Sequence, residues 1–138
     1  MATLKRNDGS IIDTNTDLTL AQLAEKHKTN LQNANLQNVS FKRQDMTNAN
    51  MEHANLEGAC FDNVNLDGAV LADANCKRAS FINAEITSVD LYKADFTLAN
   101  FTDAFFWNTD LSGADWSRTA LPYDILLEVD ELEVRGYK

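Results

Sequence analysis

Large apolar residues recur every five residues from Leu31 to Leu121, and a small residue stands two places before most of them. This register runs unbroken through nineteen units between Thr29 and Tyr123. A helix with 3.6 residues per turn would scatter the spacing around its surface, so one long helix is excluded. A strand of period two cannot keep an odd spacing on one face without bending. A bend in every unit satisfies both demands, and the chain is predicted to coil as a solenoid.

The units also share a consensus of Ala, then Asn or Asp, then Leu or Phe. It is clear in Ala34-Asn35-Leu36, Ala54-Asn55-Leu56 and Ala94-Asp95-Phe96. In these residues the chain resembles the pentapeptide-repeat family over about two thirds of its length. The resemblance implies an all-β solenoid, a right-handed quadrilateral β-helix in which four units form one coil. Nineteen units would then form about 4.75 coils, with the large and small positions pointing inward.

In that register, residues twenty apart lie above one another. Lys42 should then stack with Asp62, and Glu57 with Lys77, so that opposite charges lie one strand spacing apart. Such pairs are mildly favourable at an exposed surface, which supports the register. One inward column is predicted to be an aromatic core ladder of Phe41, Phe61, Phe81 and Phe101.

The flanks divide the chain into three predicted segments: 1–28, 29–123 and 124–138. In the first, Asn7-Asp8-Gly9 between apolar stretches indicates a tight hairpin, since Gly tolerates positive φ. Thr19 and Gln22 fit a capping box that opens a short helix. We expect this hairpin and helix to cover the open end of the solenoid, which would otherwise expose core and strand edges.

The C-terminal segment begins after Pro122, which removes a ladder donor and ends the repeat. A helical stripe then favours a short capping helix, although the last positions also alternate like a strand. Just before it, two aromatic residues flank Phe106 and are predicted to point outward, either covered by the cap or forming an interface. The candidate contacts of the cap or of a homodimer are Phe105, Trp107, Ile125, Val129 and Leu132.

The formal net charge is −9, which disfavours binding nucleic acid directly through its phosphates. Half of the twelve acids in the repeat occupy the slot before the large apolar residue, where the family consensus itself has Asn or Asp. They therefore say little about function individually. One group gathers on two adjacent faces, with Lys93 and Arg118 as nearby bases. This candidate interaction patch contains Asp90, Asp95, Asp110 and Asp115.

Nothing in the sequence indicates catalysis, a cofactor or a metal. His27 and His53 are predicted to be surface residues that lack the companions of a catalytic or metal site. Cys60 is expected to point outward and Cys76 inward, as reduced thiols on opposite sides of the wall. There is no apolar run long enough for a membrane span and no signal-peptide pattern, so a cytoplasmic protein without membrane contact is expected.

Two functions follow from this pattern. The first is a non-catalytic binding or scaffold protein whose protein partner is unknown. The alternative is an acidic rod that imitates duplex DNA and inhibits or protects DNA gyrase, topoisomerase or another DNA-binding enzyme. The chain is similar in its repeat and acidity to quinolone-resistance and gyrase-targeting family members, a resemblance that implies DNA mimicry and a homodimer through the C-terminal end. Against it, Lys42-Arg43 and Lys77-Arg78 interrupt any continuous acidic track.

Overall fold

The computed structural model describes residues 1–15 and 17–135, with the backbone alone given for 131–135. Two short strands and a helix precede the repeat, two further strands lie within it, and a longer helix follows it. No helix in the described part of the chain is long and apolar enough to cross a membrane. The elements are β1 (Ala2–Lys5), β2 (Ile11–Asn15), α1 (Leu20–Lys26), a 3₁₀ turn (Lys28–Asn30), β3 (Glu85–Thr87), β4 (Phe105–Trp107) and α2 (Tyr123–Arg135).

Parallel bridges in the repeat join residues twenty positions apart, as in Asn55 with Asn75 and Asp95 with Asp115. Four units of five residues therefore make one coil. The backbone hydrogen bonds agree, since the N–H of most large apolar residues donates to the carbonyl nineteen residues further on; Leu36 N–H, for example, bonds the carbonyl of Asn55 at 2.8 Å. Within the described repeat only β3 and β4 form regular strands, which is less strand than the expected all-β solenoid suggests. Each side of a coil is too short between bends for more.

The coil presents four faces, each named after the inward residues at its centre. The first face carries Leu31, Met51, Leu71, Leu91 and Leu111, and the second carries Leu36, Leu56, Cys76, Phe96 and Trp116. The third face carries Phe41, Phe61, Phe81, Phe101 and Leu121, and the fourth carries Met46, Leu66, Ile86 and Phe106.

A residue with positive φ stands at every corner, at each fifth position from Asn33 to Arg118. This is the bend that the five-residue spacing predicts. The left-handed conformation is unfavourable for residues with a Cβ, and none of the corner residues is β-branched. At Gly68, with φ of +69°, glycine has no Cβ to strain the left-handed backbone, and an added Cβ would also have to displace the side-chain oxygen of Asn48.

The core is a narrow column of inward side chains. Phe41, Phe61, Phe81 and Phe101 are fully buried and stack face to face, with centroid distances of 4.6, 5.0 and 4.4 Å along the column. Burial of an aromatic ring removes a large apolar area from water, and offset stacking adds to that stabilisation. Cohesion therefore runs along the rod, from one coil to the next.

The residue immediately before the large apolar residue, which we call the slot, has a local structural role in most units. Where the bond forms, the side-chain oxygen of an Asn or Asp in the slot accepts a hydrogen bond from the backbone N–H two residues further on; Asn65 Oδ1, for example, lies 2.7 Å from the amide nitrogen of Asp67. Asn and Asp favour this local bond, which explains why they dominate the slot. The same contact recurs at Asn35, Asn50, Asn55, Asn75, Asn100, Asp45, Asp90, Asp95, Asp110 and Asp115.

The antiparallel pair β1–β2 lies against the N-terminal edge of the first coil. The carbonyl oxygen of Lys5 accepts a hydrogen bond from the backbone N–H of Asn35 at 2.7 Å, and the backbone N–H of Asn7 donates to the carbonyl oxygen of Asn33 at 2.6 Å. These bonds satisfy backbone groups that the edge of the first coil would leave unpaired. Helix α1 opens with a capping box of Thr19 and Gln22.

His27 is half-buried at the C-terminal end of α1, and its Nε2 lies 2.7 Å from Asp13 Oδ2. The sequence predicted a surface position for His27; the structure shows in addition an acidic partner that the sequence did not predict. Lys26 also donates to the same carboxylate at 3.0 Å. The hydrogen bonds from His27 and Lys26 lower the pKa of Asp13 to about 2. The three side chains tie the helix to β2.

At the other end, α2 lies on the last coil. Its residues Ile125 and Val129, one turn apart, are buried against the core. Trp116 stacks on Phe96 with centroids 4.8 Å apart and donates its indole N–H to the carbonyl of Leu111 at 2.9 Å. The oversized Trp116 ring is thus accommodated without an unpaired polar atom.

Candidate functional site

The four aspartates of the predicted acidic patch lie on the first and second faces near the C-terminal end. Each uses one oxygen for the backbone N–H two residues further on, at 2.9 to 3.0 Å. On the second face, Asp95 and Asp115 are bridged on adjacent coils. At Asp110, hydrogen bonds from the Ser112 hydroxyl and backbone hold the pKa of the carboxyl below its usual range. Part of the hydrogen-bonding capacity of these aspartates is therefore used to stabilise the repeat itself.

Asp95 also forms an ion pair that the sequence did not predict. Lys77 Nζ lies 3.1 Å from Asp95 Oδ2. Partial burial opposes ionisation of Asp95, but the bonds from Thr97 and Lys77 outweigh it and lower its pKa. The predicted partner of Lys77 was Glu57, which instead pairs with Arg78 at 3.2 Å; that prediction is wrong. Glu57 and Asp95 lie on the coils on either side of Lys77. The twenty-residue stacking rule could not predict which of these two carboxylates the long lysine side chain would contact.

The ion pairs that lysine and arginine side chains of the described repeat form with its acids lie on the second and third faces. The predicted pair of Lys42 and Asp62 is confirmed, with 3.5 Å between the charged atoms. Together with the Lys77 and Arg78 pairs, it neutralises acids along the middle of the rod. Of the two bases near the patch, Lys93 lies over the Tyr92 ring, with its Nζ 5.1 Å from the ring centroid. The surface is thus a mosaic of paired and unpaired charges.

An aromatic pair is exposed on the fourth face of the last coil. Phe105 is 57% exposed and Trp107 66% exposed, because alternate residues of β4 point to the same side of the strand. Phe106 between them points inward and is partly buried, 5.5 Å from the Phe101 ring. We call Phe105 and Trp107 the aromatic pair. Both remain open to solvent beside α2.

Helix α2 adds an exposed apolar strip at the same end. Ile125 and Val129 face the core, while Tyr123, Leu126 and Leu127 remain exposed. We call Tyr123, Leu126 and Leu127 the helix strip. The predicted contact of Leu132 lies outside the side chains that the structure describes.

A groove separates the end of β4 from α2. It exists because the repeat stops there: the residue nineteen positions beyond Phe106 is Ile125, which belongs to α2 and not to another strand. The groove has a volume of about 200 Å³. Its lining consists of Phe106, Trp107, Asn108, Thr109, Leu111, Ile125 and Glu128.

The cysteines are poor nucleophiles in this setting. Burial raises the pKa of the fully buried Cys76 thiol and of the partly buried Cys60 thiol. Both thiols are free. In the described part of the chain, His, Cys, Asp and Glu side chains do not converge in a group of three that could hold a metal ion.

Comparison with protein families gives a match over most of the chain. A family model described as pentapeptide repeats matches in eight copies, over residues 27–63, 59–97 and 87–118. A comparison with curated proteins gave no significant match.

Solved structures of pentapeptide repeat proteins are also similar. One, from the thylakoid lumen of Arabidopsis thaliana, has 30% identity and a TM-score of 0.66, covering 70% of this chain and 68% of that one. HetL, involved in heterocyst differentiation regulation in the cyanobacterium Nostoc sp., has 29% identity and a TM-score of 0.54, covering 58% of this chain and 37% of HetL. QnrB1, a plasmid-mediated fluoroquinolone resistance protein, has 25% identity and a TM-score of 0.47, covering 63% and 44%.

Proposed function

The chain belongs to the pentapeptide-repeat family, whose members form right-handed quadrilateral β-helices, and we propose that it is a non-catalytic binding protein that recognises a protein partner through its C-terminal end. Such a role requires two structural features, a rigid frame and an exposed surface that a partner can recognise. Each has a structural counterpart in the described residues.

One observation carries the proposal: exposed large hydrophobic side chains are concentrated at one end of the rod. Of the nine among the described residues, five belong to the aromatic pair and the helix strip. Scattered exposed apolar residues are ordinary, but apolar side chains gathered at one place are typical of an interaction surface. Aromatic residues are also enriched where protein interfaces gain most of their binding energy.

The frame supports recognition because it is stacked from coil to coil. On this proposal the rod has about 4.75 coils, closed by β1, β2 and α1 at one end and by α2 at the other. A surface held in place by such stacking loses little conformational entropy on binding. The aromatic pair lies on β4, which is hydrogen-bonded to β3 on the coil below, and is therefore presented in a fixed orientation.

We assign the helix strip to self-association. Tyr123 and Leu127 lie one turn apart on the side of α2 that faces away from the core, with Leu126 beside them. Two copies that pack these strips against each other would bury the same residues from both chains, as a twofold dimer requires. The aromatic pair would stay available to a different protein.

The acidic mimic of DNA has weaker support. Asp90, Asp110 and Asp115 are exposed and would contribute to an acidic surface. However, Asp95 is paired with Lys77, and Asp62 is paired with Lys42, so the charge does not continue along the rod. A DNA-binding enzyme contacts regularly spaced phosphates along the DNA backbone, and the interrupted pattern of acids on this surface reproduces that spacing poorly.

Affinity capture from the source cell tests the proposal. Tagged wild type is compared with Trp107→Ala and with Tyr92→Ala, a matched control because Tyr92 is 55% exposed on the first face. We expect one protein to be enriched equally by wild type and Tyr92→Ala, and about tenfold less by Trp107→Ala. Tenfold corresponds to about 1.4 kcal/mol, a loss within the range measured when a central aromatic of an interface is truncated. Equal capture by all three forms would contradict a role for this end.

A supercoiling assay tests the alternative. Purified gyrase is titrated with wild type and with a triple variant, Asp90→Asn, Asp110→Asn and Asp115→Asn. Inhibition by wild type at micromolar concentration, lost in the triple variant, would favour the acidic mimic over the aromatic surface. Because Asn keeps the local hydrogen bond of the slot, the variant removes charge with little change of fold.

A further inference from the structure

We propose that the groove between β4 and α2 binds one cationic side chain, an arginine or a lysine, that the protein partner presents. This inference rests on the proposed function and names the chemistry of its anchor. It concerns the groove alone and is independent of self-association through the helix strip.

The size of the groove selects the kind of occupant. Its volume of about 200 Å³ is below the roughly 300–1,000 Å³ of pockets that enclose drug-sized ligands. A single long side chain is the appropriate scale. Its open position at the end of the rod allows such a side chain to enter from a neighbouring protein.

The residues that line the groove favour a long, positively charged side chain. Phe106, Leu111 and Ile125 provide an apolar floor, against which the methylene stem of a lysine or arginine can pack. Trp107 contributes an exposed indole ring and Glu128 a carboxylate. An indole face attracts a cation, and a carboxylate forms a charge-assisted hydrogen bond with it. Arginine satisfies both at once, since its guanidinium is planar, stacks on rings and binds carboxylates in a fork.

The charges around the groove favour the same occupant. None of the ion pairs among the described residues includes Glu128, nor Asp110 next to Thr109, nor Glu85, which pairs in register with Phe105. These carboxylates are therefore not neutralised by a base, although that of Asp110 accepts hydrogen bonds from Ser112. A second copy of this chain carries the same net charge of −9 and is the less complementary occupant.

Nuclear magnetic resonance of the indole N–H groups provides the test. The chain has two tryptophans, the exposed Trp107 and the buried Trp116, so its spectrum should contain two indole signals that Trp107→Phe assigns. The probe is acetyl-Gly-Arg-Gly-amide, and its neutral isostere acetyl-Gly-citrulline-Gly-amide is the control. We expect the Trp107 signal to shift saturably with the arginine peptide, with Trp116 unmoved, and affinity to fall about fivefold with citrulline.

Two charge variants complete the design. Glu128→Gln should weaken the arginine peptide about fivefold, whereas Asp130→Asn, an exposed acid on the same helix outside the groove, should leave it nearly unchanged. Unchanged backbone amide spectra show that both variants keep the fold. A non-saturable shift, equal shifts with arginine and citrulline, or equal weakening by both variants would overturn the inference. Failure here with a Trp107-dependent partner in affinity capture would leave the proposed function standing.

Discussion

The ammonium group of Lys77 lies 3.1 Å from the carboxylate of Asp95 on the neighbouring coil. This pair changes the interpretation of the acidic chain. Asp95 is held at once by Lys77 and by the backbone of Thr97, so it serves the fold. The four aspartates of the candidate interaction patch thus first of all stabilise the local turns, and the functional surface is better sought among the exposed apolar residues at the C-terminal end.

The Lys77–Asp95 pair should contribute little to stability. We expect a double-mutant cycle of Lys77→Met and Asp95→Asn to give a coupling free energy of about 0.2–1 kcal/mol, because the pair is partly exposed. Asn keeps the hydrogen bond to Thr97, so the cycle isolates the charge interaction. Urea unfolding measures the four variants, and the coupling should shrink in 0.5 M salt. A coupling above about 2 kcal/mol would instead indicate a strongly desolvated pair.

The core ladder should dominate stability. Phe81→Ala removes a fully buried ring that stacks on Phe61 at 5.0 Å and on Phe101 at 4.4 Å, so we expect a loss of about 3–5 kcal/mol in the free energy of unfolding. The same change at the 57% exposed Phe105 should cost less than about 1 kcal/mol. Urea denaturation compares the two. Similar losses at both positions would contradict the inward register of the third face.

Acid should weaken the attachment of α1 to β2. The pKa of Asp13 is lowered to about 2 in the folded chain, so its contribution to stability is present above the ordinary carboxyl pKa of about 3.8 and is lost as pH falls toward 2. We expect Asp13→Asn to lower the melting temperature at pH 5 but to match wild type near pH 2. Asp103→Asn at an exposed corner is the control and should show no such convergence. A pH-independent difference would rule out the ionised contact with His27 and Lys26.

The helix strip should control self-association. If two strips pack together, light scattering of the wild type gives the mass of a dimer, and Leu127→Glu, which places a charge in the strip, gives that of a monomer. Leu98→Glu is a matched control, because Leu98 is 42% exposed, close to the 48% of Leu127, but lies at a corner of the rod. A wild type that is monomeric at all concentrations, or a dimer that survives Leu127→Glu, contradicts the assignment.

Much of the fold could be predicted from the sequence, because the repeat imposes the same demand nineteen times. The five-residue spacing predicted a bend in every unit, and the Ala, Asn or Asp, Leu or Phe consensus pointed to the family, whose four units per coil placed Phe41 and Phe61 in one inward column. One further signal was present but unused: the corners between Asn33 and Arg118 hold no Val, Ile or Thr, as left-handed positions require.

The contacts of long or non-repeating side chains could not be predicted. Lys77 reaches Asp95 although stacking favoured Glu57, because a flexible stem spans more than one column. His27 meets Asp13 only through the packing of α1 on the hairpin, which no periodicity encodes. The groove likewise depends on how α2 lies on the last coil, so Glu128 was not recognised as a site residue.

Site-specific photo-cross-linking in the source cell tests the central claim most directly. A photoreactive phenylalanine derivative replaces Phe105 in one form and Tyr92, similarly exposed but on the first face, in the other. Neither replacement removes Trp107 or Glu128, so the groove stays intact. The account predicts that light attaches a partner protein at position 105 and not at position 92. Attachment at position 92 with none at 105 would contradict recognition through the C-terminal end.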